Sequence, residues 1–130
     1  MVDKIVDASA LAAVIFGEPE ADMIEARIRG CRLTAPTLLP YELSSVCLKK
    51  IRAHPTEREA ILQRFACFCE LPIALRPVDP LAMVEAARAL RLTAYDASYL
   101  LLAEKSDTEL VTLDRDLAAA WDALAGGIGE

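Results

Sequence analysis

Residues 4–11 read Lys-Ile-Val-Asp-Ala-Ser-Ala-Leu, and their character changes within one residue. Ile5 and Val6 are apolar and β-branched, which suits a short strand buried on both faces. Asp7 then brings a carboxylate and Ser9 a hydroxyl, and the helix formers Ala8, Ala10, Leu11, Ala12 and Ala13 follow at once. A strand that passes into a helix this quickly is the opening unit of an open α/β sheet. Ligands of such sheets sit outside the carboxyl ends of the strands. Asp7 therefore stands where chemistry is usually done, and the question is what joins it there.

The same alternation continues. The pattern predicts a helix over 8–16 ending at Phe16-Gly17, and a second helix opened by Glu18-Pro19-Glu20 and stopping near Gly30. Arg32 to Ala35 reads as a second strand. A long helix is expected over 38–53, with Leu39, Leu43, Val46, Cys47 and Ile51 inward. Glu42 in its first turn and Lys49, Lys50 and Arg52 in its last suit the helix dipole. His54-Pro55 ends it, and Thr56 with Glu59 resembles a capping box opening a helix over 57–69. Ile73 to Val78 is a third strand. Asp79-Pro80 caps a helix through Leu90, and Thr93 caps an apolar one, Ala94 to Glu104. Glu109 to Leu113 is a fourth strand, Asp114 follows it, and a last helix runs from Arg115 to about Leu124. Residues 125–130 read as a loose tail. Strands alternating with helices predict a parallel sheet with helices on both faces.

A chain of 130 residues implies one domain over 1–130. It is 55% hydrophobic and only 5% aromatic, so its core must be built from Ala, Leu, Val and Ile. No apolar run is long enough to suggest a membrane span, and no secretory signal is expected. The net charge of −6 argues against binding nucleic acid by positive field alone, though bridging cations permit it. Cys31, Cys47, Cys67 and Cys69 lack zinc spacing, and His54 is the sole histidine. The thiols read as small buried groups in a reducing cytosol. No Ser/His/Asp or Cys/His set and no glycine-rich phosphate loop is present.

The acids are distributed differently. Asp7 ends the first strand, and Glu42 lies in the first turn of the long helix. Asp96 lies in the first turn after Thr93. Asp114 ends the fourth strand, with Asp116 just beyond it. In a parallel α/β layer, strand ends and the helix starts that follow them share one edge. Each acid taken alone also makes a good helix cap. Three features favour a shared role. Asp96 lies beside Tyr95, Tyr99 and Leu100 to Leu102, where desolvating a carboxylate is costly. Ser9 and Thr112 stand two residues from Asp7 and Asp114 and are placed to orient them. Finally, like charges ~4 Å apart repel by about 4 kcal/mol at an effective dielectric near 20, and no Lys or Arg lies beside these acids in sequence. A divalent cation is the natural compensator. Oxygen-only ligands favour Mg²⁺ or Mn²⁺, whose chemistry is metal-assisted phosphodiester hydrolysis.

These residues resemble a known family. Ile5-Val6-Asp7-Ala8-Ser9, Pro40-Tyr41-Glu42-Leu43, Leu92-Thr93-Ala94-Tyr95-Asp96-Ala97-Ser98-Tyr99-Leu100 and Leu110-Val111-Thr112-Leu113-Asp114-Arg115-Asp116-Leu117 are similar, in order and spacing, to the four motifs of PIN-domain proteins. Among these the chain looks like the VapC toxins of type II toxin–antitoxin systems. The resemblance implies a PIN-like three-layer α/β/α sandwich around a parallel sheet of four to five strands. A closing fifth strand is in doubt because of Gly126-Gly127-Ile128-Gly129. It implies that Asp7, Glu42, Asp96 and Asp114 are catalytic and bind Mg²⁺ or Mn²⁺, with Ser9 and Thr112 supporting and Asp116 as an extra ligand. It further implies an endoribonuclease toxin, a cytoplasmic homodimer neutralised by a cognate VapB-type antitoxin. The helical hairpin at 38–69 is then expected to make partner contacts. Lys49, Lys50 and Arg52 read first as a solvated helix end and second as a guide for RNA. The alternative is a catalytically inert PIN-like module that binds RNA or protein. A phosphate-accepting receiver domain fits poorly, because the first strand offers one Asp and the last lysine, Lys105, precedes the final strand.

Overall fold

The computed structural model describes residues 1–129, with side chains through residue 126. Four parallel strands form its sheet: β1 (Asp3–Val6), β2 (Arg32–Pro36), β3 (Ala74–Arg76) and β4 (Leu110–Val111), in the order β3-β2-β1-β4. β1 is one of the two inner strands. Ile5 lies opposite Thr34 of β2 on one side and Leu110 of β4 on the other. Ile5 and Val6 are both buried, as a strand covered on both faces requires.

The helices are α1 (Ala8–Phe16), α2 (Ala21–Ile28), α3 (Leu39–Ala53), α4 (Arg58–Cys69), α5 (Pro80–Leu90), α6 (Ala94–Ser106) and α7 (Arg115–Gly129). α1 packs against α2, α3 and α4, whereas α6 lies along β1, β2 and β4 with α5 and α7 beside it. The core joins the layers through Leu11, Phe16, Leu39, Leu43, Tyr99, Leu100, Val111 and Leu117. Several boundaries follow local signals. α1 ends on Gly17 in the left-handed region, where φ is 69°. Asp79 caps α5 by accepting from the Leu81 N–H, and Thr93 caps α6 by accepting from the Asp96 N–H.

Four sequence expectations need correction. Thr56 does not cap α4: Pro55–Glu57 form a 3₁₀ turn, which puts Thr56 inside a helical turn, and Glu57 becomes the cap position. The third and fourth strands shorten to three and two residues. Residues 125–129 continue α7 instead of hanging loose, because Gly126 keeps an ordinary φ and Leu124 packs on the core; Glu130 lies outside the described residues. Of the four thiols only Cys47 is buried, while Cys67 and Cys69 are exposed on α4. No helix among the described residues is long and apolar enough to cross a membrane.

Candidate active site

The strand order fixes where the site lies. The chain winds outward from β1 through β2 to β3, then returns to the other side of β1 with β4. The order reverses between β1 and β4, and the crevice at such a reversal is the usual ligand position. Asp7 follows β1 directly, and the Thr112 to Asp114 segment follows β4.

Asp7 is 4% exposed, yet both its carboxylate oxygens have donors. Oδ1 accepts from the Ser9 hydroxyl at 2.7 Å and from the Ala10 N–H at 3.0 Å, so it also caps α1. Oδ2 accepts from the Thr112 hydroxyl at 2.6 Å. Each hydroxyl is itself anchored from behind. Ser9 Oγ accepts from the Leu113 N–H at 3.0 Å, and Thr112 Oγ1 accepts from the Asp114 N–H at 3.0 Å. The two oxygens lie 3.3 Å apart. Asp114 caps α7 through the Leu117 N–H at 2.9 Å. The end of β1 and the end of β4 are thus laced together through side chains. Burial pushes the Asp7 carboxyl above the usual carboxylate range, Thr112, Ala10 and Ser9 pull it back, and the charge of Asp114 adds to the rise.

Glu42 reaches the same place from α3. Its Oε1 accepts from the Tyr99 hydroxyl at 2.7 Å. Burial raises its carboxyl, Tyr99 opposes the rise, and Asp7 and Asp96 add to it. Asp96, in the first turn of α6, is raised by burial and then by the charges of Asp114, Asp7 and, least, Asp116. Asp116 itself is exposed. The structure therefore brings Asp7, Glu42, Asp96 and Asp114 into one another's field, with Asp116 at the rim.

Tyr99 is the contributor that sequence reasoning took for apolar wall. It is 1% exposed, and its hydroxyl is pushed far above its ordinary range by burial and by Glu42. The one available signal was its place three residues after Asp96, on the same flank of α6.

Among the described residues, none of the ion pairs involves these acids; those that form lie elsewhere, as between Lys4 or Arg27 and Glu109 or between Lys50 and Glu18. Nor do three such ligands close into a ready cage. Repelling carboxylates do not close on one another unaided. Mg²⁺ also needs only one or two of them, filling its octahedron with water and substrate oxygens. An oxygen-only donor set with a buried, cation-free carboxylate at its centre fits a hard divalent ion.

The comparisons with known proteins agree with this architecture. A family model described as PIN domain matches residues 4–121. The chain is 32% identical over 125 residues to Ribonuclease VapC3 of Pyrobaculum aerophilum, covering 92% of this chain and 95% of that protein. It is similar to the crystal structure of PAE2754 from Pyrobaculum aerophilum, with a TM-score of 0.72 and 30% identity, covering 91% of this chain and 84% of that one. Mycobacterium tuberculosis VapC20, described as a sarcin-ricin loop cleaving toxin, shares the fold with a TM-score of 0.63 and 16% identity, covering 89% of this chain and 93% of its own.

Proposed function

The chain belongs to the PIN-domain family, among the VapC proteins, and from that premise we propose that it is a divalent-metal-dependent endoribonuclease of the toxin type. The observation that carries the reading is the grouping of Glu42, Asp96 and Asp114, from three further segments, around buried Asp7, with no ion pair to any of the four among the described residues. Asp7, Glu42, Asp96 and Asp114 would hold Mg²⁺ or Mn²⁺, with Asp116 as an extra ligand. When bound, such an ion makes a water nucleophilic at neutral pH and stabilises charge on phosphate oxygens. The remaining work belongs to the chain. Ser9 and Thr112 hold the Asp7 carboxylate in one orientation and favour its ionised form. Tyr99 does the same for Glu42. The N-termini of α1, α3, α6 and α7 supply positive dipole ends that favour both the acids and a phosphodiester. The bare cluster repels RNA, so substrate approach depends on charge neutralisation.

In this reading the protein works in the cytoplasm as a homodimer, and a VapB-type antitoxin covers the site. The α3–α4 hairpin supplies partner contacts through surface residues such as Leu48 and Leu62, both exposed. The test uses the purified chain, a pool of single-stranded RNAs and a Mn²⁺ titration. The parent is expected to cut only with the cation. Asp7→Ala and Asp96→Ala are expected to cut nothing while keeping the parent circular dichroism spectrum. Variants that cut as well as the parent sink the proposal. A parent that cuts no RNA at any cation concentration favours the inert-module reading.

A further inference from the structure

A cavity of about 520 Å³ opens beside Glu42, lined from the start of α1, from α3 and from the start of α6. Its floor is one face of α3, where Glu42, Ser45 and Lys49 recur at helical spacing. Tyr41 and Tyr95 flank it, and they are 78% and 62% exposed. Two large aromatic side chains this open in a chain so poor in aromatics are unusual company for a catalytic carboxylate. Neither ring is paired with another aromatic among the described residues, whereas Phe16, Phe65 and Phe68 pack together elsewhere. The basic run at the end of α3 is also divided by the fold. Lys50 is used inside the protein, paired with Glu18 and lying 5.6 Å from the centre of the Phe16 ring. Lys49 lines the cavity and makes no ion pair among the described residues. It lies seven positions after Glu42 on α3, about 10 Å along the helix axis.

Exposed rings, a free ammonium and an adjoining acid cluster are the parts of a single-strand binding surface. Bases stack on open aromatic faces whatever their sequence, and a lysine marks a phosphate. A paired helix offers no free base face to such rings. The geometry points to a nucleobase subsite for single-stranded RNA, in which an unpaired base beside the scissile phosphate lies against Tyr41 and Tyr95 and a neighbouring phosphate meets Lys49. This inference rests on the ribonuclease reading and assigns Tyr41, Tyr95 and Lys49 to that same site as the residues that hold the nucleotide beside the scissile bond.

The test has two arms. In the first, steady-state cleavage of a single-stranded oligoribonucleotide is compared for the parent and for Tyr41→Leu, Tyr95→Leu and Lys49→Met. Each leucine variant is expected to raise KM roughly 5- to 100-fold with kcat unchanged. Tyr41→Phe and Tyr95→Phe, which keep the stacking face, are expected to restore it. Lys49→Met is expected to weaken binding of all sequences alike and to reduce the slope of log affinity against log salt by about 0.7. In the second arm, an oligonucleotide carrying 2-aminopurine is bound to the Asp114→Asn variant in Mg²⁺. Stacking quenches its fluorescence, and adding Tyr41→Leu or Tyr95→Leu is expected to abolish the quenching. A parent that cuts RNA while the leucine variants keep its KM overturns the subsite and leaves the ribonuclease reading intact. A parent that never cuts defeats that reading, and the quenching still decides the subsite. Leucine variants with parental RNA kinetics but lost binding to a protein partner assign the groove to protein and overturn the inference.

Discussion

Replacing Thr112 by valine removes one hydroxyl and keeps the side-chain shape. Oγ1 has two partners that the variant leaves alone. It donates to Asp7 Oδ2 at 2.6 Å and accepts from the Asp114 N–H at 3.0 Å. Asp7 is buried, so water cannot fully replace the lost donor. A hydrogen bond to a charged group contributes about 1.5–3 kcal/mol and a neutral one about 1 kcal/mol. Thr112→Val should therefore cost roughly 2.5–4 kcal/mol at neutral pH, out of a total folding stability of about 5–15 kcal/mol. Urea unfolding in a chelator measures it, and the midpoint is expected to fall by roughly 1–2 M. Thr112→Ser keeps the hydroxyl and loses one methyl group, so its cost should be near 0.8 kcal/mol, to about one figure. The sign of the pH dependence follows from the same bond. Thr112 is the largest influence opposing the rise that burial imposes on Asp7. Once Asp7 is protonated the donor matters less, so the gap between parent and Thr112→Val narrows as pH falls. A valine variant within about 0.5 kcal/mol of the parent, or a serine variant as unstable as the valine one, would refute the reasoning.

Other outcomes follow from the acids. Asp7, Glu42 and Asp96 have carboxyls raised chiefly by burial and further by one another. Between the unfolded and the raised folded values the native state binds more protons, so these groups make stability fall as pH rises through that window. Glu109, lowered by Lys4 and Arg27, acts oppositely, and its contribution is lost only as pH falls further. In a chelator, Tm is expected to decline as pH rises above the ordinary carboxylate range, and Mg²⁺ or Mn²⁺ should restore it; a Tm that only climbs as pH rises through that range without metal contradicts this. Tyr99→Phe removes the donor to Glu42 at 2.7 Å and should lower kcat/KM about 10- to 100-fold. The acid limb of its pH–rate profile should move to higher pH, because Tyr99 opposes the rise of Glu42. A profile with an unshifted limb removes Tyr99 from that role.

What could be read from the sequence was local. β1 and the step to α1 follow from Ile5, Val6 and the alanines after Asp7, and Gly17, Asp79 and Thr93 mark helix ends through their own chemistry. Other ends carry no such mark. Arg91 and Asp107 end α5 and α6 in the left-handed region, with φ of 57° and 50°, where glycine is the usual signal. β4 ends at Val111, and just beyond it the Thr112 side chain is committed to Asp7, a partner far away in sequence. The acids at strand and helix starts could be listed from sequence, but their support could not. The Tyr99–Glu42 bond joins positions 57 residues apart, and no periodicity announces it. The division of labour between Lys49 and Lys50 likewise depends on where Glu18 and Phe16 end up.

The lacing of β1 to β4 has a consequence for the timing of synthesis. Asp7 leaves the ribosome well before the partner of its second oxygen, a hydroxyl 105 residues later. Chains emerge N-terminus first, so until Thr112 and Asp114 are released the nascent polypeptide carries only fragments of the acid cluster. A protein with the proposed activity is born beside abundant RNA. Its architecture completes the acid cluster only once the segment through Asp114 has been made, so a chain stopped before Thr112 lacks the bond that ties β1 to β4.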